Sequence, residues 1–229
     1  MNTPIKLSAA LTLAVLSAQV QAVEFSFLGS VATPEIFGNS YTVTADTLTL
    51  TATAWSTTGV RGRFQTAELE IYPGYGMGVC NRSEGVNCSS NNNAYALDNR
   101  GADDLILFTF SSSVQLDTLG FLQFGGDSDL NLWAGSGPVN LDGLQSIELG
   151  SATFINNSDG SNTFRTIVLN SIFTGTYDWI AVGSRINQEN DFIQLSSLTV
   201  ISPIPEPETW AMMLAGMGLL GVFSARRRV

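Results

Sequence analysis

Ser40-Tyr-Thr-Val-Thr44 and, just after it, Thr47-Leu-Thr-Leu-Thr51 alternate polar with apolar side chains residue by residue. A two-residue period sends successive side chains to opposite faces of an extended strand, and Thr, Val and Tyr suit a pleated, half-buried surface. The same period recurs on both sides: Glu24-Phe-Ser-Phe-Leu28 before it and Thr66-Ala-Glu-Leu-Glu-Ile71 after it. Further candidates are Leu105 to Phe110, Leu119 to Phe124, Asp129-Leu-Asn-Leu-Trp133, Ser146 to Leu149, Ala152 to Ile155, Phe164 to Leu169, Tyr177 to Val182 and Phe192 to Val200. Gly, Asn, Asp and Ser punctuate them, as in Phe124-Gly-Gly-Asp127 and Ser158-Asp-Gly-Ser161. Many short strands with turn residues between them predict an all-β fold, a two-sheet β-sandwich of jelly-roll-like type, over residues 23–202.

Composition narrows the chemistry. Of the 229 residues 44% are hydrophobic and 10% aromatic, enough for one sizeable core and against disorder. Only 13% are charged, so the surface is built mostly from Ser, Thr, Asn and Gly. The formal charge is −10 and the pI near 4.2, which excludes nucleic acid as a partner. With no His, the commonest general base and metal ligand are missing, which removes Ser-His-Asp and Cys-His nucleophile systems. Any metal would be a hard cation held by oxygen.

The two ends read as targeting segments. Lys6, the apolar run Leu7 to Leu16 and the small residues of Val20-Gln21-Ala22 predict a signal peptide, residues 1–22, cut by signal peptidase after Ala22. At the other end Pro205-Glu206-Pro207-Glu208 precedes the uncharged run Thr209 to Ala225, and Arg226-Arg227-Arg228-Val229 closes the chain. As a helix the uncharged run extends ~25 Å, slightly short of a ~30 Å hydrocarbon core, so it predicts a minimal transmembrane helix over 209–225. The three arginines keep their end cytoplasmic, leaving residues 23–204 across the membrane. Lys6 and these arginines are four of the 10 basic residues, and Glu206 and Glu208 two of the 20 acidic ones. The span 23–204 therefore keeps six basic against 18 acidic residues, a formal −12.

Pro-Glu-Pro, a short Gly-, Ala- and Leu-rich hydrophobic helix and a terminal arginine cluster, in that order, resemble the PEP-CTERM sorting signal over residues 203–229. The resemblance implies processing near Pro205, Glu206 and Pro207 by an exosortase, a membrane-bound cysteine protease, with Arg226, Arg227 and Arg228 as the cytoplasmic stop. It also implies a Gram-negative host that makes exopolysaccharide. Prolines keep such a site extended and free of helix for a protease. Residues 75–135 are similar to a group of exosortase-dependent surface proteins: a Cys-containing Gly loop, a hydrophobic-Asp-Asn step at Leu97-Asp98-Asn99 and an Asp-x-Asp turn at Asp127-Ser-Asp129 recur there in this order.

Pro73 to Gly101 lacks regular alternation and is expected to be a long loop. It holds both cysteines, Cys80 and Cys88, and an isolated pair in an exported chain is expected to form a disulfide worth ~2 to 3 kcal/mol; the rival reading is a reactive or metal-binding thiol pair. Asp98, Asn99, Asp103 and Asp104, with Asp127 and Asp129, are candidate calcium ligands, since calcium takes six to eight oxygens and needs no histidine. The competing reading is that such residues cap turns through their own backbone. Trp133 and Tyr95 are candidate stacking platforms for sugar rings, with Trp55 and Trp179 as further aromatics of that kind, against the alternative that aromatics on alternating strands are core.

The expectation drawn from these residues is a non-enzymatic, exported cell-surface or extracellular-matrix protein, structural or adhesive in an exopolysaccharide or biofilm layer. The alternatives are a calcium-dependent carbohydrate-binding module and a polysaccharide hydrolase, whose carboxylate pair roughly 5 to 9.5 Å apart would arise by chance among 18 acidic residues.

Overall fold

A computed structural model describes residues 20–30, 35–59, 62–81, 96–123, 127–156, 163–186, 189–203 and 216–217. Gln21–Ser202 forms one compact unit. The second unit, Met1–Val20 with Pro203–Val229, contributes only Val20 and Pro203 at strand ends and the helical pair Gly216 and Met217. Most of the expected signal peptide and hydrophobic helix, and all of Pro205 to Pro207 and Arg226 to Arg228, lie outside the described residues. Among the described residues no helix is long and apolar enough to cross a membrane.

The chain forms fourteen strands: β1 Val20–Ser26, β2 Glu35–Ile36, β3 Ser40–Ala45, β4 Leu48–Thr57, β5 Phe64–Thr66, β6 Glu68–Tyr72, β7 Gly76–Cys80, β8 Leu97–Asp98, β9 Asp104–Gln123, β10 Leu130–Gly135, β11 Thr153–Ile155, β12 Phe164–Val168, β13 Tyr177–Ser184 and β14 Phe192–Pro203. The expected all-β sandwich is what the strands build. One sheet runs β11-β10-β13-β9-β4-β3, with β5 also beside β4; the other runs β12-β9-β14-β7-β6-β2, with β1 and β8 also on β14.

The twenty-residue β9 belongs to both sheets. Its first half pairs with β4, from Ser56↔Asp104 to Leu50↔Phe110, and with β13, from Gly183↔Leu105 to Tyr177↔Val114. Its second half pairs with β14, from Ile201↔Gln115 to Ile193↔Gln123, and with β12, from Val168↔Thr118 to Phe164↔Leu122. Between the halves, Ser111, Ser112 and Ser113 are exposed, as expected where a strand turns a corner from one sheet into the other.

Between the sheets lies the main core. From one side come Leu48, Leu50 and Ala52 of β4, Ile106 and Phe108 of β9, and Ile180 and Val182 of β13; from the other come Leu69 and Ile71, Met77 and Val79, Leu119 and Phe121, and Leu195, Leu198 and Val200. Phe27, just past β1, stacks on Phe108 across the gap with ring centroids 5.4 Å apart and planes 14° from parallel. A second, smaller core covers the outer face of the first sheet: Trp55, Leu105, Leu107, Trp133 and Ala181 pack under Leu141, Leu144 and Leu149 of the segment after β10. Gly135 belongs to this packing, because a Cβ there would overlap the Trp179 ring.

Two local expectations change. Gly76-Met-Gly-Val-Cys80 is a strand, every residue buried, not loop. Gly76 lets it pass close to β14: its φ is 136°, and a Cβ on it would overlap the Leu195 carbonyl oxygen. Ser146–Leu149 is a 3-10 turn, not a strand. There the Glu148 carboxylate accepts the Gln145 N–H at 2.6 Å, and the Glu148 N–H donates back to the Gln145 carbonyl at 2.9 Å, a local closure that competes with strand pairing. Cys80 is buried in β7, whereas Cys88, its expected partner, lies outside the described residues.

Truncating a ring that spans both sheets removes its burial and leaves a cavity. Phe108→Ala is expected to lower the unfolding free energy measured in denaturant by about 3 to 5 kcal/mol, whereas Ile36→Ala, at a 52% exposed position, changes it by less than about 0.5 kcal/mol.

Candidate functional site

The acidic residues gather where three connections meet at one end of the sandwich. β8 lies beside the start of β14, with Phe192↔Asp98 and Ile193↔Leu97. The β9–β10 connection supplies Asp127 and Asp129, and the β13–β14 connection supplies Arg185 and Asp191. Backbone bonds join the two connections: the Asp127 N–H donates to the Asn190 carbonyl at 3.0 Å, the Phe192 N–H to the Asp127 carbonyl at 3.1 Å, and the Arg185 N–H to the Asp129 carbonyl at 3.1 Å.

Carboxylate oxygens of Asp127, Asp129 and Asp191 lie within 4.8 Å of one another. Asp191 is fully buried, and both its oxygens are engaged: Oδ1 accepts the Asp129 N–H at 2.9 Å and Oδ2 accepts the Asn99 side-chain amide. Asn99 returns the bond, its Oδ1 accepting the Asp191 N–H at 3.1 Å, and its Nδ2 also donates to the Arg185 carbonyl at 2.8 Å. Arg185 closes the group, with Nη1 2.8 Å from Asp129 Oδ2 and its guanidinium 4.3 Å from the centre of the Phe154 ring. Burial pushes Asp191 up from 3.8 to about 6; the Asp129 N–H bond opposes this, the Asp127 charge adds to it, the Asn99 bond opposes it, and the Asp129 charge adds to it.

Of the six residues read as calcium ligands, the fold brings Asp127 and Asp129 together and ties Asn99 to their group through Asp191. Asp98 faces its own turn, its Oδ1 accepting the Arg100 N–H at 2.8 Å, as an Asx residue does. Asp103 and Asp104 belong elsewhere: the Asp103 N–H donates to Thr57 Oγ1 at 2.8 Å, and the Asp104 carboxylate accepts Asn81 Nδ2 at 3.1 Å. Asp191 was missed, although it immediately precedes the apolar start of a strand, as Asp104 and Asp129 do. In its observed state the group is a clasp of three carboxylates, an amide and a guanidinium that fastens three connections.

The aromatic candidates divide similarly. Trp133 is 4% exposed in the second core, and its indole N–H donates to the Gly150 carbonyl at 3.3 Å. Trp55 is also buried, its indole donating to Thr53 Oγ1 at 2.9 Å, and Trp179 lies against Gly135. The Trp133 ring is thus spent on packing and offers no open face for a sugar. Tyr95 lies outside the described residues.

The molecule so defined is a β-sandwich domain followed directly by a C-terminal targeting segment. Residues 203–228 match the family model of the PEP-CTERM protein-sorting motif, so this segment is a PEP-CTERM sorting signal. The signal implies export, membrane anchoring before processing, and an exosortase as processing partner. No curated protein matches the chain. Among solved structures, discoidin II from Dictyostelium discoideum aligns with 55% of this chain and 52% of its own at 16% identity and a TM-score of 0.32; the chain spans about half of that protein's length.

The raised Asp191 gives the clasp a pH signature. Between about pH 4 and 6 the folded state holds a proton that the unfolded state has already released, so this group's contribution to stability is full below about pH 4 and is lost as pH rises through about 6. Denaturant midpoints measured from pH 4 to 7 are expected to fall less with pH in Asp191→Asn than in wild type; equal slopes would remove the assignment.

Proposed function

We propose that this protein is a non-enzymatic component of the cell surface or extracellular matrix of a Gram-negative bacterium, structural or adhesive within an exopolysaccharide layer. The observation that carries the reading is the junction at Pro203, where β14 ends and the PEP-CTERM match begins. The chain passes from a folded cargo into its address with no intervening domain. Other features support a matrix role: the span 23–204 has a formal charge of −12, contains no lysine, and is rich in hydroxyl and amide side chains. Such a surface stays hydrated and repels other anionic polymers only through a sparse set of charges.

In this reading the signal peptide directs export, the 209–225 helix holds the precursor in the inner membrane, and exosortase cuts near Pro205 to Pro207. Cys80 and Cys88 close a disulfide in the oxidising space beyond the membrane. The sandwich is then retained at the surface or in the matrix.

Glu206→Ala with Pro207→Ala in the full chain is expected to leave a membrane-bound precursor of higher intact mass and to deplete the protein from surface and medium. The sandwich itself should stay as resistant to protease as in wild type. Wild-type mass and location in the variant would overturn the reading. Release of reducing ends from the host's own exopolysaccharide by the purified protein would overturn its non-enzymatic part.

A further inference from the structure

Among the described residues, the path of the first sheet ends in β11 and β3 and that of the second in β12 and β2, while β1, β5 and β8 each pair with one strand. An edge strand presents unpaired backbone groups, and proteins blunt such edges with short strands, charges, Pro or polar side chains. β2 has two residues and β11 three. β3 turns Ser40, Thr42 and Thr44 outward, and two of these bond across to β4, Thr42 to Thr51 at 3.1 Å and Thr44 to Thr49 at 2.9 Å. β12 is built otherwise. Phe164-Arg-Thr-Ile-Val168 has no Pro, Lys or carboxylate, and its outward side chains are Phe164, 54% exposed, Thr166, and Val168, 51% exposed.

The backbone of this edge has a definite phase. The Gln123 N–H donates to the Thr163 carbonyl at 3.4 Å, so Thr163 and, by alternation, Arg165 and Ile167 turn their backbone groups toward β9. Phe164, Thr166 and Val168 turn theirs to the open side, where the Val168 carbonyl also accepts Ser171 Oγ at 2.8 Å.

We propose that β12 is a homotypic docking edge, pairing antiparallel with β12 of a second copy about a two-fold axis through Thr166. This axis places Phe164 opposite Val168 of the second copy and Thr166 opposite its own counterpart. The outward-facing N–H and C=O groups then meet in hydrogen-bonded pairs, and the side chains form two aromatic–β-branched pairs and one Thr–Thr pair, the combinations that stabilise antiparallel sheets. Self-complementarity about one residue is what an isologous contact requires. Charge agrees with it: in a body of formal −12 this strand carries one arginine and no carboxylate, and the pairing sets Arg165 opposite Ile167 rather than opposite itself. A five-residue edge buries less than the roughly 1,200 Å² of a stable interface, so the pairing is weak in dilute solution and gains weight where copies are crowded. The inference rests on the edge alone and stands or falls independently of the sorting route.

The test is sedimentation velocity of the mature protein from micromolar to millimolar concentration, in wild type and in Thr166→Lys, which sets two ammonium groups against each other at the axis. Wild type is expected to shift toward dimer as concentration rises, and Thr166→Lys to stay monomeric with an unchanged melting temperature. As a second measurement, Thr166→Cys should form a covalent dimer on mild oxidation, whereas Thr42→Cys, on the other long edge, should not. Should Thr166→Lys fail to fold, this comparison decides. A wild type that stays monomeric throughout, a Thr166→Lys protein that dimerises like wild type, or equal cross-linking at both positions would overturn the proposal.

Discussion

One strand in two sheets is the constraint from which the rest of the sandwich follows. β9 hydrogen-bonds to β4 and β13 in its first half and to β12 and β14 in its second. Its backbone groups pair along both flanks, and an unmade buried hydrogen bond costs about 1 to 3 kcal/mol. The sheets therefore cannot part without breaking ladders on both sides of the same chain segment. The buried face keeps its phase through the serine corner, from Ile106 and Phe108 to Val114 and Leu116, and changes it just beyond. Ile106 and Phe108 face the main core at even positions, whereas Leu119 and Phe121 face it at odd ones. The change is absorbed where the register with β14 slips, between Leu116↔Val200 and Thr118↔Thr199, which leaves Asp117 as the extra residue of a bulge. β14 makes a matching change at Ser196, between Leu195 and Ser197.

This path also fixes where the acidic clasp lies. β13 is the neighbour of β9 in one sheet and β14 its neighbour in the other, so the connection between them passes from sheet to sheet beside both ends of β9. Asp191 and Arg185 come from that connection and Asp129 from the β9–β10 connection, which is why residues 62 positions apart share a carboxylate hydrogen bond. β14 then runs from the clasp at Phe192 to the serine corner, where Ile201 meets Gln115. Its last residue, Pro203, is also the first of the sorting-motif match.

Much of this was legible from residue pattern. Alternation located β3, β4, β6, β10, β13 and β14, because each turns a run of alternate side chains to the main core. It lost β9 as a single element, since three serines and a bulge break the period there and Leu105 to Phe110 and Leu119 to Phe124 read as two strands. It lost β7 because its glycines look like turn residues, although Gly76 is required for close approach to β14. Trp133 resembled an exposed ring at a strand end only while the segment covering the outer sheet face was out of view; Leu141 and Leu149 are what bury it. The acidic clasp was half legible: Asp127 and Asp129 are local in sequence, but Asp191 reaches them only through sheet topology. The sorting motif needed no fold at all, because its parts act in order along the chain.

Native-state amide hydrogen exchange of the mature protein tests the shared strand most directly. The account predicts that amides of Leu105 to Phe108 and of Leu119 to Leu122 exchange only through one global opening, with the same free energy and the same dependence on denaturant. If one half of β9 exchanged through a separate, lower-energy opening while the other stayed protected, the two sheets would be independent units and the account would be wrong.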